Sequence, residues 1–152
     1  MLNGLERLVG VWEGTGRGVY PTIEPFTYSE RVEFTHRGKP FLLYHQTTWT
    51  DGADRQPLHT ETGYFRPGPD GGVEAVIAQP TGISEILTGS WDGTTVRLST
   101  RSVGLTPSAK EVRTVERILE VGDEELTYQL WMEAVGQPHQ IHLAARLQRL
   151  KS

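Results

Sequence analysis

Short segments in which apolar and polar residues alternate recur along almost the whole chain, roughly every 8 to 14 residues, and are separated by Gly, Pro and Asp. Side chains in a strand point to opposite faces with a period of two, so each segment reads as a strand with one face covered. Thr27 to His36 is representative: Tyr28, Val32 and Phe34 fall on one face, against Thr27, Ser29, Arg31, Glu33 and Thr35, with Glu30 as the exception on the apolar side. Gly38-Lys39-Pro40 then turns the chain into Phe41 to Trp49, and Asp51-Gly52 turns it again toward Leu58 to Arg66. Beyond the Pro67 to Gly72 turn come Val73 to Ala78, Ile83 to Trp91 and Thr95 to Arg101, then a looser loop over Val103 to Pro107. Lys110 to Glu120 and Leu126 to Val135 flank Gly122-Asp123, with Leu126, Tyr128, Leu130 and Met132 sharing an inward face. Leu8 to Val19 and Ile141 to Leu150 complete about ten strands.

Ten sequential strands in one open, twisted sheet leave two unpaired edges, whereas pairing the first strand with the last removes both. The chain is therefore expected to be all-β, a closed antiparallel up-and-down barrel. A length of 152 residues suits one domain spanning residues 1–152. A barrel wider than the ~8-strand kind, which side chains just fill, leaves room inside for a ligand.

The residue types restrict what that ligand is. A net charge of −4, with Lys and Arg interleaved among acids, provides no field for nucleic acid. With no cysteine, thiolate chemistry, disulfides and iron–sulfur clusters are excluded. The common nucleotide, hydrolase and metalloprotease motifs are absent. No apolar stretch approaches the ~20 residues that span a bilayer as a helix, and Met1 to Gly4 leads into patterned sequence without a leader, so a cytoplasmic protein with no membrane partner is expected.

Gly10-Val11-Trp12-Glu13-Gly14-Thr15-Gly16 fits GxWxGxG, a pattern shared by several ligand-carrying barrels; its structural reading is a Trp plug at one barrel end and glycines that let the strand bend. Tyr20-Pro21-Thr22-Ile23-Glu24-Pro25-Phe26, Gly38-Lys39-Pro40, His59 to Arg66 and His142 to Leu147 follow in order. From about Leu8 to Arg149 this series resembles the nitrobindins, haem-carrying barrels related to the lipocalin and fatty-acid-binding-protein architecture. The short Tyr20 to Phe26 link leaves no space for a two-helix lid and implies an open mouth.

The resemblance implies one haem b per chain, lying near the mouth with His142 as its proximal ligand and as the residue on which catalysis depends. It places Thr22 and Ile23 at the haem border, although Pro21 and Pro25 alone would explain a tight turn there. Leu58 and His59 match the open, distal side, where the family uses no strong sixth ligand. Met132 matches a lining position, or is simple core packing, and Lys110 is placed to meet a haem propionate, or is a solvated lysine. His142 stands off the parity of Ile141, Leu143, Ala145 and Leu147, so a bulge, or a position in the mouth before regular pairing begins, is needed to reconcile it with an inward role. His36 and His45 read as ordinary strand residues and His139 as a loop residue.

The activity implied is isomerisation of peroxynitrite to nitrate at ferric haem, with nitric oxide bound at ferrous haem. A haem-based nitric-oxide carrier or sensor would use the same residues. A non-catalytic carrier of a fatty acid or other apolar molecule would instead need a buried cation or tyrosine clamp, for which Arg97, Arg113 and Arg117 stand on suitable strands. Glu30, Glu61 and Glu85 have no defined spacing in the sequence and receive no catalytic role.

Overall fold

The computed structural model describes residues 1–151. Ten antiparallel strands run β1 (Gly10–Tyr20), β2 (Ile23–His36), β3 (Leu42–Thr50), β4 (Pro57–Pro67), β5 (Gly72–Gln79), β6 (Ile83–Trp91), β7 (Thr95–Leu105), β8 (Val112–Val121), β9 (Glu125–Ala134) and β10 (Gln137–Arg149). Each pairs with its neighbour in sequence, and β1 also pairs with β10, from Trp12↔Arg149 to Gly18↔Leu143, which closes the barrel. The expected all-β, up-and-down closed barrel is the observed fold.

Several boundaries differ from the sequence reading for identifiable reasons. Leu8 belongs to a 3₁₀ turn, Leu5–Leu8, and β1 starts after it. The Tyr20 to Phe26 link shrinks to Pro21-Thr22, because Ile23 already pairs with Tyr20. Val103 to Leu105, read as loop, are strand: they pair with Glu85 to Ile83 on β6, while the β7–β8 ladder stops at Ser99↔Glu116. Lys110, read as the start of a strand, lies in the loop before β8. His139, read as a loop residue, is in β10, its ring stacked 6.2 Å from that of Trp131.

One end of the barrel is sealed. The wholly buried Trp12 donates from Nε1 to the Leu8 carbonyl at 2.9 Å and packs with Leu5, Leu8, Phe34, Phe65 and Leu147. The Arg149 guanidinium lies 4.1 Å from the Trp12 ring centroid and donates to the carbonyl of Arg7, so the 3₁₀ turn is tied to the last strand. The two glycines Gly16 and Gly18 act differently: a Cβ on either would stand 2.3 Å from the Tyr28 ring or 2.2 Å from the Phe26 ring. Glycine in β1 therefore makes room for the two β2 aromatics that line the opposite, open half.

Trp12→Ala should lower stability by about 3–5 kcal/mol, the range for truncating a fully buried aromatic. Urea unfolding measures this, and an unchanged midpoint would show that Trp12 is not the plug.

Candidate functional site

A cavity of about 690 Å³ opens away from the Trp12 end, and all seven site residues expected from the sequence line it: Thr22, Ile23, Leu58, His59, Lys110, Met132 and His142. Thr22 lies in the β1–β2 turn, and Ile23 and Leu58 are exposed at strand starts, so these three form part of the rim. Lys110 comes from the loop that bridges the separated ends of β7 and β8. Met132 and His142 stand on β9 and β10.

His142 reaches the cavity through a register shift. Ile141 pairs with Trp131 but Leu143 with Leu130, so β10 advances by two residues while β9 advances by one. His142 is the extra residue, and the bulge turns it off the outward parity of its strand. Its Nδ1 lies 3.0 Å from the Val19 carbonyl oxygen. A carbonyl only accepts, so Nδ1 carries the proton and the lone pair is on Nε2. Burial lowers the His142 pKa from its usual value and outweighs the Val19 carbonyl, which favours the charged ring; His59 across the mouth also disfavours a second positive charge. The ring is therefore neutral at pH 7. Tyr20 packs against it edge-on at 5.4 Å, and the Tyr20 hydroxyl receives the Ala134 N–H at 3.0 Å, which fixes the packing ring in turn. A neutral imidazole with an oriented Nε2 is the donor that a haem iron accepts on its proximal face.

Beneath the mouth the cavity wall is polar. Arg117 is buried between two carboxylates: Nη1 donates to Glu61 Oε2 at 2.6 Å, and Nε and Nη2 donate to Glu85 at 3.1 and 2.6 Å. Tyr44 donates to Glu61 at 2.8 Å, the His59 Nε2 stands 3.1 Å from the other Glu61 oxygen, and Gln79 donates to Glu85. Burial opposes ionisation of Glu61, but the Arg117 charge and the His59 and Arg117 hydrogen bonds outweigh it and hold the carboxyl down at about 2. Among the described residues no cation bonds to Glu30. It accepts from Tyr128 at 2.6 Å and Gln46 at 2.8 Å, while burial pushes its pKa up to about 7.

Sequence reasoning gave these three carboxylates no function, yet the barrel brings them to one level. The available signal was parity: Glu30 stands among Tyr28, Val32 and Phe34, Glu85 between Ile83 and Leu87, and Arg117 between Val115 and Leu119. Of the three arginines considered as a clamp, only Arg117 points inward; Arg97 and Arg113 are exposed.

The family described as "THAP4-like, heme-binding beta-barrel domain" matches residues 1–149. The chain belongs to this family, the nitrobindins. Two relatives named peroxynitrite isomerase 1 support the placement. The protein from Mycolicibacterium paratuberculosis is 52% identical over 152 residues, covering 97% of this chain and 94% of that protein. The one from Mycobacterium tuberculosis is 51% identical over 155 residues with the same coverage. The crystal structure of Rv2717c from M. tuberculosis matches this nitrobindin fold with a TM-score of 0.94 at 50% identity, over 99% of this chain and 97% of that one.

Glu30 makes stability depend on pH. Its carboxyl is held up near 7 in the fold against 4.5 in the open chain, so between those values the unfolded state ionises first and gains stability. Relative to Glu30→Gln, the wild type should lose about 3 kcal/mol of unfolding free energy from pH 4.5 to 7. Urea titrations at several pH values read this difference, and a constant gap would show that the fold does not hold Glu30 protonated.

Proposed function

We propose that this chain binds one haem b at the barrel mouth through His142 Nε2, isomerises peroxynitrite to nitrate in the ferric state and binds nitric oxide in the ferrous state. The observation that carries the reading is the bulged His142, whose Nδ1 is engaged by Val19 and whose Nε2 is left as the donor. Membership of a haem-binding family and the names of the relatives support the same conclusion.

Bound haem supplies the redox-active iron at which the O–O bond of peroxynitrite is rearranged. The protein's own residues hold and shield that centre. The Val19 carbonyl orients the ligand ring and makes it a stronger donor, and burial keeps it neutral. Ile23, Leu58 and Met132, which line the cavity, would offer apolar surface to a bound porphyrin and restrict water, and Lys110 at the rim would be available to a propionate. His59 is bonded through Nε2 to Glu61, so that nitrogen is engaged within the wall.

The buried charges argue against a fatty-acid carrier. Arg117 is the cation inside the barrel that a carboxylate would seek, and Glu61 and Glu85 already occupy it. A fatty-acid head would meet three carboxyl groups before it met a free guanidinium.

His142→Ala should lose the five-coordinate, histidine-ligated haem spectrum and the acceleration of ferric peroxynitrite decay, with circular dichroism unchanged. Apolar contacts sustain weak haem uptake, and added imidazole should restore part of the spectrum. Wild-type spectrum and rate in the mutant would rule out His142 as the ligand.

A further inference from the structure

The polar level beneath the mouth contains more negative charge and hydrogen-bond capacity than its own groups satisfy. Three carboxyls, Glu30, Glu61 and Glu85, line the same cavity as one guanidinium, Arg117, and the two nearest to Arg117 consume its charge. Glu30 is left with neutral partners only, Tyr128 and Gln46. Beside it Gln46 is buried, 4% exposed, and donates its amide N–H to Glu30 while its Oε1 has no hydrogen-bond partner among the described residues. A buried amide oxygen without a partner is disfavoured, and the Gln46 residue that carries it lines the cavity. Both features call for the same complement, a positive group that donates hydrogen bonds.

We propose that this inner level of the barrel is a second binding site, separate from the haem mouth, for a small amidinium or ammonium ligand with an aromatic or apolar body. The cationic head bonds to Gln46 Oε1 and the Glu30 carboxylate. The body packs among Tyr28, Tyr128 and the apolar residues Val32 and Leu119 of the same cavity. Without such a ligand, a proton on Glu30 meets the charge deficit, which accords with the raised pKa of that carboxyl.

Proton and cation then compete for one place. The ionisable groups facing Glu30 are Tyr44 on β3, Glu61 on β4, Arg117 on β8 and Tyr128 on β9, with Tyr28 beside it on β2; β1 pairs Gly14 with it and adds no charge. Burial raises the tyrosine pKa values above the usual range, Glu61 stays ionised and Arg117 stays charged, so Glu30 is the group that changes state near neutrality. The ionised form takes the cation, so affinity rises with pH, by about tenfold between pH 6 and pH 8.

Benzamidinium is a suitable probe, with benzamide and benzoate as its neutral and anionic counterparts of similar shape. Isothermal titration of both haem-free and haem-loaded protein should show binding in the order benzamidinium, benzamide, benzoate, with the first at least about tenfold tighter than the last. Gln46→Leu should remove most of the benzamidinium affinity, and Glu30→Gln should remove its pH dependence. Benzoate binding as well as benzamidinium, no binding of any probe, or binding to the haem-free protein alone would each overturn the second site; the last would assign the probe to the mouth. None of these outcomes bears on His142, so the haem reading is tested separately.

Discussion

The seam between β1 and β10 closes the barrel and also positions His142, the proposed haem ligand. Its ladder ends at Gly18↔Leu143, and the next residues on each strand, Val19 and His142, are joined by a side-chain hydrogen bond. Val19 has a carbonyl to offer because the regular pairing has stopped one residue earlier. On the other side of β10 the extra residue against β9 turns the imidazole inward. Closure, strand end and bulge thus coincide at one residue; the tautomer of His142 follows from where the ladder ends, and its neutral state from burial.

The barrel is built in levels of different character. Trp12 and its apolar neighbours seal one end, the polar level lies between, and the mouth at the other end is rimmed by Ile23, Leu58 and Lys110. Charges in the middle level are retained at a cost that tight geometry offsets only for Arg117 and its two partners. Glu30 lacks such a partner, and burial pushes its pKa up to about 7 instead. The same distribution makes this middle level unfavourable to a fatty-acid carboxylate, which sets this barrel apart from a carboxylate carrier despite a shared architecture.

Strands and turns were legible because each is a local pattern: alternation such as Tyr28, Val32, Phe34 needs only its own segment, as does Asp51-Gly52. The strand over Val103 to Leu105 was not, because its partner is β6 alone, the ladder with β8 having stopped at Ser99↔Glu116. His142 was identified from its surrounding motif while its parity pointed outward, since one inserted residue reverses every face assignment at that point. The carboxylate and arginine level was missed for a different reason. Arg117 is 56 residues from Glu61 and 32 from Glu85, and no spacing rule links residues that meet across the interior of a barrel.

His142 Nε2, oriented through the Val19 carbonyl, is the donor proposed to hold the iron. The most direct measurement is the resonance Raman spectrum of the ferrous protein loaded with one equivalent of haem, recorded with natural and ¹⁵N-imidazole-labelled histidine. One iron–histidine stretching band that moves to lower frequency with the label is the predicted result. No such band, or a band that the label does not move, would show that His142 does not hold the iron.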